Sequence, residues 1–220
     1  MIPAILIMLL TFSTAVTSCA EARHGMVASV HPVATDAGLR VLKQGGNAVD
    51  AAAAVAFTLG VVDSDNSGIG GGCFLLIHRA DGSLVALDGR ETAPAAATPN
   101  MFVRQGKADT RLSQTGALAS GVPGALAACE FAVEHYGTRK FSELILPASE
   151  IAERGFPLDA AYARNLKRVA AEMAQFPSSR AVFFKNGKPL NKGHLLKQPD
   201  LAATYRRIAA EGSEWFYGGP

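Results

Sequence analysis

The sequence predicts a globular α/β protein, on two observations. Several segments carry apolar residues at helical spacing, and each is bounded by glycine, proline or a capping residue. Between them, the apolar runs 73–78 and 84–87 flank Asp81-Gly82, and such a pattern predicts two strands joined by a tight turn. With 49% hydrophobic and 18% charged residues among 220, the chain has the composition of a single ordinary domain.

A glycine-rich loop, Ser67-Gly68-Ile69-Gly70-Gly71-Gly72, precedes this hairpin, and the second strand continues into Asp88-Gly89-Arg90-Glu91. Glycine allows close approach of backbone or ligand, and successive backbone N–H groups can form an anion-binding concavity. Arg90 is a planar, permanently charged fork that suits a carboxylate. We therefore expect a small anionic substrate between the loop and Arg90. The alternative is that the glycines form a buried turn and Arg90 ends a strand in solvent.

The order of the elements argues against a nucleotide site. A dinucleotide fingerprint requires a strand before the glycine loop and a helix after it, whereas here a helical segment precedes and a strand follows. The sequence contains no Gly-Lys-Ser or Gly-Lys-Thr, so it has no P-loop. The net charge of +2 is too small to indicate a nucleic-acid partner.

The remaining elements are predicted from helix caps, breakers and periodicity. Asn47 is the expected cap of a helix whose first turn contains Asp50. We expect a strand at 25–30, helices at 33–44, 47–60, 123–135, 141–154, 159–175 and 199–211, and a small hairpin at 183–188. The helix at 141–154 is expected to be interrupted at Pro147. A surface loop with a short helix near Met101 is expected at 92–114.

Residues 1–18 are predicted to be a signal peptide, although no lysine or arginine precedes their apolar core. Val16-Thr17-Ser18-Cys19 resembles a bacterial lipobox, in which Cys19 is lipidated and becomes the first mature residue. Cleavage as an ordinary signal peptide is the alternative. We expect residues 19–24 to be a short tether and 25–220 to be the folded part. In either case we expect an exported protein, periplasmic or anchored by lipid to the cell envelope.

The cysteines and histidines do not predict a metal site. The sequence has three cysteines, Cys19, Cys73 and Cys129. An odd number of cysteines without a CxxC motif argues against a disulfide framework and against a zinc site. Cys73 and Cys129 lie in apolar contexts and are expected to be core residues rather than nucleophiles. We expect the scattered histidines to be structural or solvated, and Asp63 and Asp65 to be solvated loop carboxylates; no metal or cofactor is predicted. The histidines meant are His31, His78, His135 and His194, four of the five in the sequence.

Several linked motifs resemble one family. Segments 25–29, 45–52, 67–72 and 88–91 occur in the order found in the large-subunit half of γ-glutamyltransferase, also called glutathione hydrolase. Segments 121–124, 155–157 and 216–220 resemble later landmarks, so that the resemblance covers about 25–220. Two departures are Cys73, where the family usually carries glycine, and Ser64, where many members have proline.

The resemblance implies an N-terminal-nucleophile hydrolase fold, an αββα arrangement of stacked, mainly antiparallel sheets between helices that is incomplete in this chain. It also implies a precursor that cleaves itself into two subunits. The new N-terminal threonine of the small subunit attacks the γ-glutamyl amide, with its own α-amine as base, and the acyl group passes to water, an amino acid or a peptide. Arg90 then binds the α-carboxylate of the γ-glutamyl group.

By the same resemblance the chain looks truncated before the small subunit. No residue matches the threonine nucleophile or the oxyanion donors, so no catalytic residue is expected in this chain, which alone is expected to be inactive. The implied partners are a γ-glutamyl substrate such as glutathione and the small subunit of the same precursor. Two alternatives stay open: a non-catalytic exported lipoprotein that keeps the loop as a binding module, and an acylase of the same fold that acts on another amide.

Overall fold

A computed structural model describes residues 21–219; the predictions for residues 1–18 and for Cys19 lie outside the described residues. The described chain contains eight α-helices and four two-stranded antiparallel sheets. The helices are α1 (Pro32–Lys43), α2 (Ala48–Val62), α3 (Ala125–Tyr136), α4 (Phe141–Arg154), α5 (Ala160–Met173), α6 (Pro177–Phe183), α7 (Pro199–Glu211) and α8 (Ser213–Gly218). The paired strands are β1 (Cys73–His78) with β2 (Leu84–Gly89), β3 (Val103–Arg104) with β4 (Lys107–Ala108), β5 (Phe156–Pro157) with β8 (Leu195–Leu196), and β6 (Phe184–Lys185) with β7 (Lys188–Pro189).

Helix α2 is the centre of the core. It packs against α1, α3 and α4. Phe57 and Val61 of α2 are buried with Leu144 and Ile145 of α4 and with Tyr205 of α7. Because these side chains come from distant parts of the sequence, the helices form one continuous core. No helix within residues 21–219 combines the length and apolar character needed to cross a bilayer.

The predicted strand at 25–30 is wrong. That segment forms no strand in the described structure. Val27 packs on helices instead: a Cβ placed on Gly38 of α1 would meet a methyl of Val27 at 3.0 Å and one of Val55 of α2 at 2.7 Å. Met26 and Val30 are 54% and 79% exposed, so the loose alternation of apolar residues in this segment does not mark the buried face of a strand.

Two further differences concern local breakers. Helix α4 continues through Pro147, where an interruption was expected. Proline removes one helical hydrogen bond, but Leu144, Ile145 and Ala148 are buried around it, and their packing holds the helix together. Met101 lies in a turn and not in a helix, and the short helices α6 and α8 were not predicted. The hairpin around Asn186-Gly187 is present, with positive φ at both residues (52° and 73°).

Asp50 ties α2 to the start of α4. Asn47 caps the helix as predicted, and Asp50 completes a capping box by accepting from the Asn47 N–H at 2.8 Å. The fully buried carboxylate also accepts from the backbone N–H of Thr138 (3.0 Å) and of Arg139 (3.2 Å), and from the Thr138 hydroxyl (2.7 Å). Burial alone raises the pKa of Asp50, but these hydrogen bonds outweigh burial and leave the pKa below its usual value.

We expect Asp50→Asn to lower the free energy of unfolding at pH 7 by roughly 2–4 kcal/mol, because an amide group would face donors that now meet a carboxylate. Since the folded-state pKa is depressed, the carboxylate stabilises above the unfolded pKa of about 3.9 and loses this effect as pH falls through the folded value. Denaturant titrations should therefore show the difference from wild type narrowing below about pH 4. Exposed Asp36→Asn on α1 is the control; equal effects of the two changes would contradict the assignment.

Candidate functional site

The predicted hairpin is present, with Cys73 opposite Gly89 and His78 opposite Leu84. Its two faces differ. Leu75, Ile77, Val85 and Leu87 are half-buried, and the strands contact α3. The opposite face exposes large apolar side chains, with Phe74 71%, Leu76 73% and Leu84 63% accessible. The hairpin therefore shields one face within this chain and presents an apolar surface on the other.

Main-chain contacts fix the point at which Arg90 leaves β2. A Cβ on Gly72 would lie 2.8 Å from the Gly89 carbonyl oxygen and 2.9 Å from the Arg90 Cα. A Cβ on Gly124, at the start of α3, would lie 2.5 Å and 2.6 Å from the Gly89 and Arg90 carbonyl oxygens. Only glycine permits both approaches, because any side chain would displace the backbone that carries Arg90.

The segment 121–124, noted above as a motif, packs directly against the residues that follow β2. Thr92 and Val122 exchange two backbone hydrogen bonds, at 3.1 Å and 2.8 Å. The N–H groups of Gly124 and Ala125 both donate to the Gly71 carbonyl at 3.1 Å. These bonds join the glycine loop, the end of β2 and the start of α3 into one unit.

A cavity of about 620 Å³ opens beside this unit and contains both predicted elements, the glycine loop and Arg90. The loop forms one wall. Glu91, the end of α6, the N-cap of α7 and residues of α7 form the others. The last three had not been connected to the site from the sequence. They are Phe183, Gln198, Leu201 and Tyr205. Tyr205 is fully buried in the core, and helical periodicity within 199–211 does not show that this buried face borders a cavity.

Arg90 is half-exposed, with 55% of its side chain accessible. Its guanidinium lies 3.2 Å from the Glu91 carboxylate and 5.8 Å from the centre of the Phe74 ring. Such an exposed ion pair contributes little to stability, and the guanidinium retains donors for a ligand. The Asp88 carboxylate accepts from the Arg90 N–H at 2.9 Å, which further fixes the backbone.

Tyr205 and Gln198 shape the cavity wall. The Tyr205 hydroxyl donates to the Phe57 carbonyl at 3.2 Å, and the Gln198 amide donates to the Val61 carbonyl at 3.0 Å. Burial raises the pKa of Tyr205, so its hydroxyl stays neutral. Gly60 of α2 lies against both Tyr205 and the glycine loop. A Cβ on Gly60 would meet the Tyr205 hydroxyl oxygen at 2.6 Å and the Gly68 Cα at 3.1 Å. The loop thus rests on α2 and α7.

His31, His194 and Asp65, which were named from the sequence, make hydrogen bonds to other residues of the chain. His31 caps α1, its Nδ1 accepting from the Val33 N–H at 3.2 Å, and His194 Nδ1 accepts from the Asn191 N–H at 2.7 Å. Asp65 is exposed at the cavity rim and accepts from the Asn165 amide at 2.7 Å. Within residues 21–219, no group of three His, Cys, Asp or Glu side chains is placed to hold a metal ion.

Comparison with known proteins identifies the family. The model of the family described as Gamma-glutamyltranspeptidase matches residues 34–220. The chain belongs to this family. It is 44% identical over 201 residues to the glutathione hydrolase proenzyme of Escherichia coli (strain K12) and 41% identical over 202 residues to that of Bacillus subtilis (strain 168). Each alignment covers 90% of this chain but only 35% and 34% of the relative, so the chain spans about a third of their length.

A solved structure supports the fold. The crystal structure of Helicobacter pylori gamma-glutamyltranspeptidase superimposes with a TM-score of 0.89 at 42% identity, covering 92% of this chain and 58% of that chain. The likeness confirms the predicted fold class, that of the N-terminal-nucleophile hydrolases. Among the sheets found within residues 21–219 of this gamma-glutamyltranspeptidase family member, β1–β2 has the longest strands.

Two glycines of the loop give a matched test of the backbone contacts. Gly72→Ala is expected to lower the free energy of unfolding by about 1–3 kcal/mol, because the new Cβ collides with the backbone at residues 89–90. Gly70→Ala is the control, since no atom lies within 4 Å of a Cβ there, and it should change stability by less than about 0.5 kcal/mol. Thermal or denaturant unfolding measures both. A tolerated Gly72→Ala would show that the loop moves away at no cost.

Proposed function

We propose that the chain is the N-terminal part of an exported enzyme that cleaves the γ-glutamyl amide of glutathione and related peptides and transfers the acyl group to water or to an amino acid or peptide. In this proposal Arg90 binds the α-carboxylate of the γ-glutamyl group. It orients the substrate and forms or breaks no covalent bond.

One observation carries the proposal: Arg90 and the glycine loop line the same cavity. The guanidinium is half-exposed and its only ion pair within residues 21–219 is with Glu91, which an incoming carboxylate can replace with two parallel hydrogen bonds. The names of the relatives, glutathione hydrolase proenzymes, support the substrate class.

The nucleophile is proposed to come from the small subunit of the same precursor. Within residues 21–219, none of the hydroxyls that line the cavity (Ser64, Ser67 and Tyr205) is hydrogen-bonded to a carboxylate, imidazole or amine; Ser64 pairs with the Tyr162 hydroxyl and Tyr205 with the Phe57 carbonyl. The word proenzyme in the relatives' names supports a cleaved precursor. The exposed apolar face of β1–β2, formed by Phe74, Leu76 and Leu84, would be covered by that subunit, since such a patch is rarely left in water.

Arg90→Ala in the full-length protein should raise the KM for γ-glutamyl substrates by an amount equivalent to roughly 2–5 kcal/mol, the cost of losing one partner of a desolvated charge pair. Arg90→Lys should recover only part of this loss, because an ammonium lacks the planar fork. Steady-state kinetics with a chromogenic γ-glutamyl anilide measures both variants.

Arg154→Ala is the matched control, because this arginine is 80% exposed on α4 and pairs only weakly with Glu150. A wild-type KM in Arg90→Ala would overturn the carboxylate assignment. Faster cleavage of an amide without the γ-glutamyl group would favour the alternative acylase activity. Tight glutamate binding without any turnover would favour the non-catalytic binding module.

Residues 20–220 expressed alone should not hydrolyse the anilide, because the proposed nucleophile and oxyanion donors belong to the small subunit. The measurement is release of the chromogenic amine against an enzyme-free blank. Turnover above the blank that a point change within this chain abolishes would place the catalytic residues here and contradict the proposal.

Export is proposed to proceed through the leader at 1–18, with lipid attached to Cys19. The wild-type protein should then partition with membranes and carry an acyl mass on its first residue. Cys19→Ser should block processing or release soluble protein. A mature N-terminus at another residue, without acyl mass, would remove the anchor and leave the export proposal intact.

A further inference from the structure

A second cavity, of about 330 Å³, lies between residues 64–66 and helix α5. Residues 64–66 and Phe183 also line the cavity that contains Arg90, so the two cavities share a wall. We call the second one the α5 cavity. Its volume is at the lower end of the range for small-molecule sites and suits a ligand about the size of one amino acid.

Two hydrogen bonds join α5 to the shared wall. The Tyr162 and Ser64 hydroxyls lie 2.6 Å apart, and the Asn165 amide donates to the Asp65 carboxylate at 2.7 Å. Tyr162 and Leu166 are buried in the core, which fixes this side of α5. The α5 cavity therefore has a defined shape on the side where it meets its neighbour.

The lining of the α5 cavity combines an apolar surface with one cation and one anion. Arg168 supplies the cation; it is exposed and makes no ion pair within residues 21–219, so its donors are available to a ligand. Asp65 supplies the anion, and its carboxylate has acceptor capacity beyond the bond from Asn165. The apolar residues are Leu166, Val169, Met173 and Phe183.

We propose that the α5 cavity is the acceptor site of the enzyme and binds a free α-amino acid with an apolar side chain. This inference rests on the proposed function, because it names the class of amine that receives the γ-glutamyl group. The acceptor carboxylate pairs with Arg168, its ammonium with Asp65, and its side chain with the apolar residues. Since Asp65 borders both cavities, the acceptor nitrogen lies at the boundary with the cavity that contains Arg90.

The transfer uses this placement of the nitrogen. The acceptor ammonium gives one proton to solvent, and the resulting amine attacks the acyl carbon of the γ-glutamyl ester. A C–N bond forms, the ester C–O bond breaks, and a second proton of the nitrogen passes to the departing oxygen of the nucleophile. Arg168 and Asp65 orient the acceptor and form or break no covalent bond.

The test uses the full-length protein with a chromogenic γ-glutamyl anilide as donor and measures γ-glutamyl-phenylalanine by mass spectrometry. L-Phenylalanine is compared with L-phenylalaninamide, which keeps the amine and the ring but lacks the carboxylate. Arg168→Ala should raise the KM for L-phenylalanine about tenfold or more and that for L-phenylalaninamide less than about twofold, because only the first loses a charged hydrogen bond. A general structural defect would change both values equally.

Arg164→Ala is the matched control, because this arginine lies one turn earlier on α5, is exposed and does not line the cavity. It should leave the KM of both acceptors unchanged. A wild-type KM for L-phenylalanine in Arg168→Ala, or an equal change with both acceptors, would overturn the inference.

The same assay separates this inference from the proposed function. Wild-type protein that hydrolyses the anilide but forms no γ-glutamyl-phenylalanine would overturn the acceptor site and leave the hydrolytic activity standing. If the wild type releases no amine from the anilide, the proposed function fails, and calorimetric titration with L-phenylalanine decides whether the cavity binds an amino acid. Binding that Arg168→Ala weakens and Arg164→Ala does not would support the site, and absence of binding would overturn it.

Discussion

The candidate site depends on a close contact between three stretches of backbone. The end of the glycine loop, the end of β2 and the start of α3 meet at Gly72, Gly89 and Gly124 without intervening side chains. This contact places the Arg90 Cα at a fixed position relative to α2, α3 and α7. A fixed backbone would lower the entropy cost of binding a carboxylate, since only the Arg90 side chain would have to become ordered. The main role of these glycines is therefore to let the three stretches of backbone pack together. For a ligand, the consequence is that the glycines add no side chains to one wall of the cavity.

Electrostatics at the cavity are correspondingly simple. Arg90 is the positive group of the lining, and Glu91 and Asp65 are its acids. Glu91 also packs over Gly72, where its carboxylate lies 2.6 Å from the position of a Cβ. Glu91 thus holds the guanidinium in a defined direction, with the two charged groups 3.2 Å apart. An α-amino acid group would find partners for both of its charges, because its carboxylate can pair with Arg90 and its ammonium with Glu91 or Asp65.

The sequence predicted local features well and distant ones poorly. Asn47 and Asp50 were placed correctly because a helix cap depends on residues close together in the sequence. The hydrogen bonds from Thr138 and Arg139 to Asp50 were not predicted, since 88 and 89 residues separate these partners. The β1–β2 hairpin was predicted from Asp-Gly between two apolar runs, and the position of Arg90 at the end of the second strand was predicted with it. Tyr205 and Gln198 could not be assigned to the cavity, because helical periodicity tells which face is buried and not what lies against it.

The two faces of β1–β2 explain why this site is only partly enclosed within residues 21–219. On the inner side, Gly89 and Cys73 lie against α3, so the backbone that carries Arg90 is held by this chain alone. On the outer side, Phe74 lies beneath the Arg90 guanidinium and is 71% exposed. Burial of that ring by a second layer would also desolvate the guanidinium above it and strengthen its hydrogen bonds to a carboxylate. The covering that we propose for the apolar face would therefore raise the affinity of the site as well as the stability of the fold.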